Sequence, residues 1–186
     1  MVFDFFKKLL MSRQLTFERG QIKVANEISI MVHGPALVNL TDMLIRTLGR
    51  DGIKYIYNSS KESGKILAKA FQNKYGMKGM KLASLIKDLT EMAGWGKSKF
   101  INLDISKKTM IIVVTGSPFA QLTTFKNKKM CHMSRGFAAG AASVLFKTNV
   151  DCIETKCAAD GSNFCEFIIQ EKKNLKNKKL VKQQLS

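Results

Sequence analysis

Three of the chain's four cysteines lie in the stretch CIETKCAADGSNFCEFII, residues 152–169, and the fourth is Cys131. Cys131, Glu154, Cys157 and Cys165 follow one another at spacings of 23, 3 and 8 residues. Three thiolates and one carboxylate can close a tetrahedral zinc shell. The spacing differs from the paired CxxC of a zinc ribbon. Buried apolar cysteines beside a surface glutamate are therefore the competing interpretation.

Two other side chains compete for a place in this ligand set. Cys152 is two residues from Glu154, so both side chains point to the same face of an extended strand. His132 adjoins Cys131. Either could replace Glu154 as a ligand. We expect Cys152 to lie in a pocket or the core, and His132 to be exposed.

The elements that must position these residues can be predicted from apolar spacing and turn residues. Short strands are expected in residues 13–32, around Gly20. Cys131 is expected to begin the last of four helices, and Gly161 to turn the chain between the last two strands. The predicted helices cover 35–49, 52–75, 78–93 and the segment after Cys131; the later strands cover 99–106, 108–116, 150–155 and 164–171. Strands, helices, strands, a helix and strands, in that order, indicate an α+β domain.

The second predicted helix repeats small residues, Gly64 and Ala68 among them, that would let another helix approach closely. The run from Ile111 to Val114 is continuously apolar, which predicts a strand buried on both faces.

Length and composition fit one domain with two short extensions. The chain has 186 residues, of which 45% are hydrophobic. We expect an amphipathic N-terminal arm over 1–12, a domain over 13–170 and a basic tail over 171–186. No run reaches the roughly 18 apolar residues of a membrane helix, and residues 1–12 lack the features of a secretory signal. These features predict a cytoplasmic protein with reduced thiols.

A formal net charge of +17 permits binding to nucleic acid or to an anionic membrane surface. The densest lysine block is the tail EKKNLKNKKLVKQQLS. A solvated tail, or a frayed helix, is the simpler interpretation of that block.

The segment from Gly136 to Ile169 carries GFAAG and then ExxCxxxGxxxCxF. This segment resembles the 4-vinyl-reductase domain family, which includes small archaeal proteins and the sensor domains of phenol- and xylene-responsive bacterial activators. TRAPP vesicle-tethering subunits share its fold. The resemblance is looser earlier, and in all it covers about residues 13–170. It implies the ligand-binding fold of the NO-signalling and Golgi-transport type, a curved antiparallel sheet covered by helices around an apolar cavity.

The resemblance also implies the metal. Phenol-sensing members hold zinc with three cysteines and a glutamate in the order and spacing of Cys131, Glu154, Cys157 and Cys165. Such a zinc ion would be structural, because protein side chains fill all four positions and leave no place for an activated water.

A cavity of this fold needs an apolar lining with few polar groups. The alternation along 110–114 and the helical spacing of Phe137, Ala141 and Val144 could supply one, although the same side chains could simply fill a core. Trp95, the only tryptophan, is the strongest single candidate. The candidate ligand-binding residues are Trp95, Phe100, Met110, Ile112, Phe137 and Ala141.

Phenol-sensing relatives bind the phenolic hydroxyl with a histidine. Here the only histidines are His33 and His132, outside the middle of the chain. A hydrocarbon- or lipid-like ligand therefore fits better than phenol.

The sequence thus predicts a zinc-stabilised sensor or carrier of an apolar molecule, acting as a homodimer and through a regulatory protein partner. One alternative is a nucleic-acid- or protein-binding scaffold that uses the basic surface. A reductase acting on a vinyl group is the second. Catalysis is not expected, since the chain has no GxGxxG after a strand and no Ser-His-Asp set.

Overall fold

The computed structural model describes residue 11 and residues 15–185. Apart from Met11, the predicted arm over 1–12 lies outside the described residues. The described chain is α+β, and its strands form two antiparallel sheets.

The first sheet is a three-stranded meander. It contains β1 (Leu15–Glu18), β2 (Gln21–Val24) and β3 (Glu27–Ser29), in that order. Gly20 turns the chain between β1 and β2 with a φ of 76°, as its lack of a Cβ allows. The predicted opening strands are therefore present.

Three helices follow, close to their predicted bounds: α1 (Gly34–Leu48), α2 (Arg50–Tyr75) and α3 (Gly79–Met92). Pro35 lies in the first turn of α1, where its missing N–H has no intrahelical partner to lose. Gly76 ends α2 in the left-handed conformation.

The second sheet contains β4 (Lys97–Asp104), β5 (Thr109–Thr115), β6 (Asp151–Lys156) and β7 (Cys165–Gln170), in the spatial order β4-β5-β7-β6. In β5 only Met110 is buried. The prediction of burial on both faces is wrong. Ile112 and Val114 border a cavity, while Ile111 and Val113 lie half-exposed on the opposite face. A short helix, α4 (Pro118–Gln121), lies in the segment predicted as a loop.

Helix α5 (His132–Leu145) packs directly on α2 through three glycines. A Cβ on Gly64 would lie 2.2 Å from the Phe137 carbonyl oxygen, and a Cβ on Gly140 would lie 1.9 Å from the Lys61 carbonyl oxygen. A Cβ on Gly136 would also lie 2.2 Å from a carbonyl oxygen of α2, that of Tyr57. The close approach predicted from small residues is confirmed.

The C-terminal segment packs on the domain. A 3₁₀ turn (Lys172–Asn174) leads to α6 (Lys178–Leu185). The Gln184 side chain of α6 is buried and binds the backbone of Glu154 on β6. A wholly solvated tail is therefore the wrong interpretation, because one face of α6 covers the free edge of β6. Within the described part of the chain, no helix is both long and apolar enough to span a bilayer.

Candidate metal centre and apolar cavity

Four elements bring the predicted metal ligands together. Cys131 precedes the first turn of α5, and Glu154 lies on β6. Cys157 opens the 3₁₀ turn of Ala158–Asp160, and Cys165 begins β7. An irregularity in the β6–β7 pairing falls just after Glu154. Such bulges re-aim side chains.

The four side chains form a compact, buried cluster. Their candidate ligand atoms all lie within 4.8 Å of one another. The Cys131 Sγ lies 3.5 Å from that of Cys165 and 3.9 Å from that of Cys157. The remaining sulfur pair, Cys157 and Cys165, is separated by 4.0 Å. The Cys131 backbone N–H also donates to Glu154 Oε2 at 3.2 Å, which ties the start of α5 to β6.

Crowding and burial change the proton affinities of these groups. Burial, and after it Cys157, raises the pKa of the Glu154 carboxyl well above its usual value. Hydrogen bonds with Cys157 and Cys165, together with burial, raise the pKa of Cys131. Hydrogen bonds from the other two thiols lower the pKa of Cys165 to about 4. The thiols therefore titrate together, and a bound cation would let the whole cluster ionise.

One atom of the cluster lacks a hydrogen-bond partner. Glu154 Oε1 is buried and receives no hydrogen bond within the described chain. An unsatisfied buried carboxylate oxygen is costly, and a metal ion at the cluster would satisfy it. The donor set thus fits a metal ion.

The two alternative ligands lie outside the cluster. Cys152 is fully buried in the core, as predicted, and its sulfur contacts the Ile153 carbonyl oxygen instead. The prediction that His132 is exposed is wrong: the residue is buried, and its Nδ1 lies 3.5 Å from Arg135 Nη2. Burial and the neighbouring Arg135 lower the pKa of His132 to about 3.

Arg135 and Gln184 form a second buried layer behind the cluster. Arg135 Nη1 donates to the Cys152 carbonyl and to the Gln184 carbonyl, each at 3.0 Å. Its guanidinium also lies 4.3 Å from the centre of the Tyr57 ring. Sequence reasoning missed both residues, because nothing local marks one arginine or glutamine among many polar residues as buried.

An apolar cavity of about 90 Å³ lies between α3, α5 and the second sheet. That volume is well above the roughly 10–15 Å³ that one water molecule requires. Trp95 borders it and packs against Phe119 and Phe137, with ring centres 5.4 and 5.2 Å apart.

All six predicted ligand-binding residues border this cavity: Trp95, Phe100, Met110, Ile112, Phe137 and Ala141. Their role in binding a ligand stays a prediction. Val144 is buried away from the cavity, and Leu145 borders it instead, since 145 continues the face of Ala141 by four residues. The helical spacing of α3 and α5 could have found the lining residues that were missed: Leu82, Ala83, Ile86, Thr90, Ser134, Ala138 and Ala142.

The metal cluster and the cavity are joined by one helix. Cys131 lies at the start of α5, and Phe137, Ala141 and Leu145 border the cavity further along it. Fixing the start of α5 therefore fixes one wall of the cavity.

The family assignment rests on the last third of the chain, which holds most of this cluster. Residues 110–171 match the 4-vinyl-reductase domain. The match confirms the predicted resemblance to that family. An uncharacterised protein of Methanocaldococcus jannaschii is 34% identical over 41 residues, which are 22% of this chain and 24% of that relative. The aligned region is thus about a quarter of the relative's length.

Solved structures share the fold beyond the matched domain segment. The phenol-responsive sensory domain of the transcription activator PoxR, solved with phenol, superposes with a TM-score of 0.78 and 20% identity over 96% of this chain and 94% of its own. A vinyl-4-reductase family protein from Methanocaldococcus jannaschii gives 0.52 and 18% over 77% and 83%. A trafficking protein particle complex subunit 3 from Naegleria fowleri, covalently bound to palmitic acid, gives 0.54 and 17% over 74% and 93%. The predicted fold class is confirmed.

Proposed function

We propose that this protein is a zinc-stabilised module that binds a small apolar molecule, as a sensor or carrier. The observation that carries the proposal is one helix, α5, anchored by four metal-ligand candidates and bordering an apolar cavity. The phenol-bound PoxR domain, which has the same fold, supports a small-molecule role for the cavity.

The sulfur separations support zinc in particular. With Zn–S bonds of about 2.3 Å, the edges of a tetrahedron are about 3.8 Å long. The three Sγ–Sγ distances, 3.5, 3.9 and 4.0 Å, lie around that value. When bound, zinc would supply a fixed positive charge that holds α5 and the β6–β7 hairpin together. With four protein ligands, its role is structural rather than catalytic.

Three further features belong to the same proposal. The protein acts in the cytoplasm, where four free thiols persist. It works as a homodimer, and it passes the ligand signal to a regulatory protein partner. Native mass spectrometry of the full chain at several concentrations tests the dimer. A monomer at every concentration would contradict it.

Two measurements on the purified full chain test metal and ligand separately. Elemental analysis should give one zinc per chain, and Cys165→Ser should lose it, while Cys152→Ser, just outside the cluster, keeps it. Native mass spectrometry and thermal shift should detect an apolar compound in the cavity, and Ala141→Phe should block it by filling the space without loss of zinc. A metal-free chain that is equally stable after chelation would overturn the zinc assignment.

A scaffold role for the basic surface is favoured by one observation. The outer face of α6 presents Lys178, Lys179 and Lys182 to solvent, while Gln184 faces inward. Phosphate contacts by such lysines would make nucleic-acid binding fall steeply with salt. Replacing the three lysines with Gln should then lower the salt dependence and leave folding intact. Equal binding by the variant would exclude this face.

A further inference from the structure

Only a few polar side chains of the described residues border the otherwise apolar cavity: Lys87, Thr90, Ser98 and Ser134. A ligand can use only those whose hydrogen-bonding groups are not already engaged. Their existing partners therefore determine which ligand chemistry the cavity accepts.

Lys87 is already paired with two carboxylates. Its Nζ lies 2.6 Å from Asp88 Oδ1 and 3.2 Å from Glu91 Oε1. Although burial lowers its pKa, the hydrogen bonds of these two acids raise it above the usual value. The three groups together carry a charge of −1, so an anionic ligand at this point would meet like charge.

The next two polar side chains are engaged as well. The Thr90 hydroxyl donates to the Lys87 carbonyl oxygen at 2.8 Å. The Ser98 backbone N–H donates to Glu91 Oε1 at 2.9 Å, and its hydroxyl lies 3.4 Å from the same oxygen. This wall of the cavity therefore offers a ligand few polar groups that are not already engaged.

Ser134 differs from the others. Within the part of the chain that the structure describes, its hydroxyl makes no hydrogen bond, and neither does the indole N–H of Trp95. Ser134 lies on the cavity face of α5, three residues before Phe137. Both unpaired groups are neutral, and both can donate to an oxygen atom.

We propose that the ligand is a neutral molecule with an apolar body and one hydroxyl or carbonyl oxygen, which Ser134 binds. The cavity discriminates against carboxylates, because Lys87, the cation on its described lining, is already neutralised by two acids. This inference rests on the proposed function and adds the ligand's charge and its single polar contact.

The test uses the zinc-loaded full chain and three probes of similar size: cyclohexanol, methylcyclohexane and cyclohexanecarboxylate, at pH 8, where the acid is ionised. Fluorescence of Trp95, the only tryptophan, reports binding at the cavity itself, and calorimetry gives the affinities. Cyclohexanol should bind, and the carboxylate should bind at least about tenfold more weakly, because like charges placed together oppose binding.

Two variants separate the two parts of the inference. Ser134→Ala should weaken cyclohexanol by about 2- to 10-fold, the range of one neutral hydrogen bond, and leave methylcyclohexane unchanged. Ser59→Ala, an exposed serine on α2, is the matched control. Glu91→Gln keeps an amide oxygen for the Ser98 N–H and removes one negative charge, so it should narrow the gap between alcohol and carboxylate.

The possible outcomes are distinct. Carboxylate binding as tight as that of the alcohol would overturn the charge discrimination. An equal loss of alcohol and hydrocarbon affinity in Ser134→Ala would overturn the role of its hydroxyl. If no probe binds by either measurement, the proposed function itself fails, and this inference fails with it.

Discussion

Replacing Gln184 with Ala tests whether the C-terminal helix α6 is part of the folded core. In the native protein, Gln184 Nε2 donates to the Glu154 carbonyl at 2.9 Å, and its Oε1 accepts from the Glu154 N–H at 2.8 Å. β6 lies at the edge of its sheet, so no further strand of the described chain is available to pair with these two backbone groups.

The expected loss follows from the two groups left without partners. A buried unsatisfied N–H or C=O costs about 1–3 kcal/mol, so the pair together costs about 2–6 kcal/mol. Gln184 is only 7% exposed, and water reaches this site poorly. For a chain of this size a loss of about 3 kcal/mol lowers Tm by about 6–12 °C.

The assay is urea unfolding of the metal-loaded protein, followed by Trp95 fluorescence and by far-UV circular dichroism. Gln183→Ala is the matched control, because Gln183 is the preceding residue of the same helix and is exposed. The control should change the free energy of unfolding by no more than about 0.5 kcal/mol. If both variants unfold at the same urea concentration, the proposed bracing of Glu154 by α6 is wrong.

Three further perturbations test other contacts. Gly140→Ala should cost roughly 1–3 kcal/mol or more, measured by thermal unfolding, because its Cβ would lie 1.9 Å from the Lys61 carbonyl oxygen; a neutral result would mean that the two helices are further apart. Asp151→Asn should cost about 3–5 kcal/mol, because it leaves the Lys61 ammonium, 2.6 Å away, as an unpaired buried charge. Asp51→Asn, at an exposed pair, should cost less than about 1 kcal/mol, and equal losses would refute the argument. Chelation should lower Tm in the native protein and leave Cys165→Ser unchanged; equal shifts in both would exclude a metal at this cluster.

Much of the fold could be predicted from the sequence, because the signals are local. Apolar periodicity located α1, α2 and α3 within a few residues, and Gly76 marked the end of α2. The burial of β5 could not be predicted in the same way. An apolar run indicates what a strand can tolerate, while the neighbouring layers decide which face is covered.

The environment of charged and polar groups was the least predictable feature. His132 was expected to be exposed and is buried, while Arg135, which sequence reasoning passed over, is fully buried. Their burial depends on α6 packing over β6, and Arg135 contacts a residue of α6 about 50 positions further along the chain. Periodicity within one element carries no information about such a contact.

The sequence alone determined the donor set of the candidate metal site. Three thiols and a carboxylate at these spacings, beside GFAAG, indicate both the family and the kind of ion. Only the tertiary structure brought the four groups within 4.8 Å, left Glu154 Oε1 without a partner in the described chain and placed the cavity along the same helix. The physical reason is that donor type is a property of a side chain, whereas distance, burial and unsatisfied hydrogen bonds arise only when separate elements pack together.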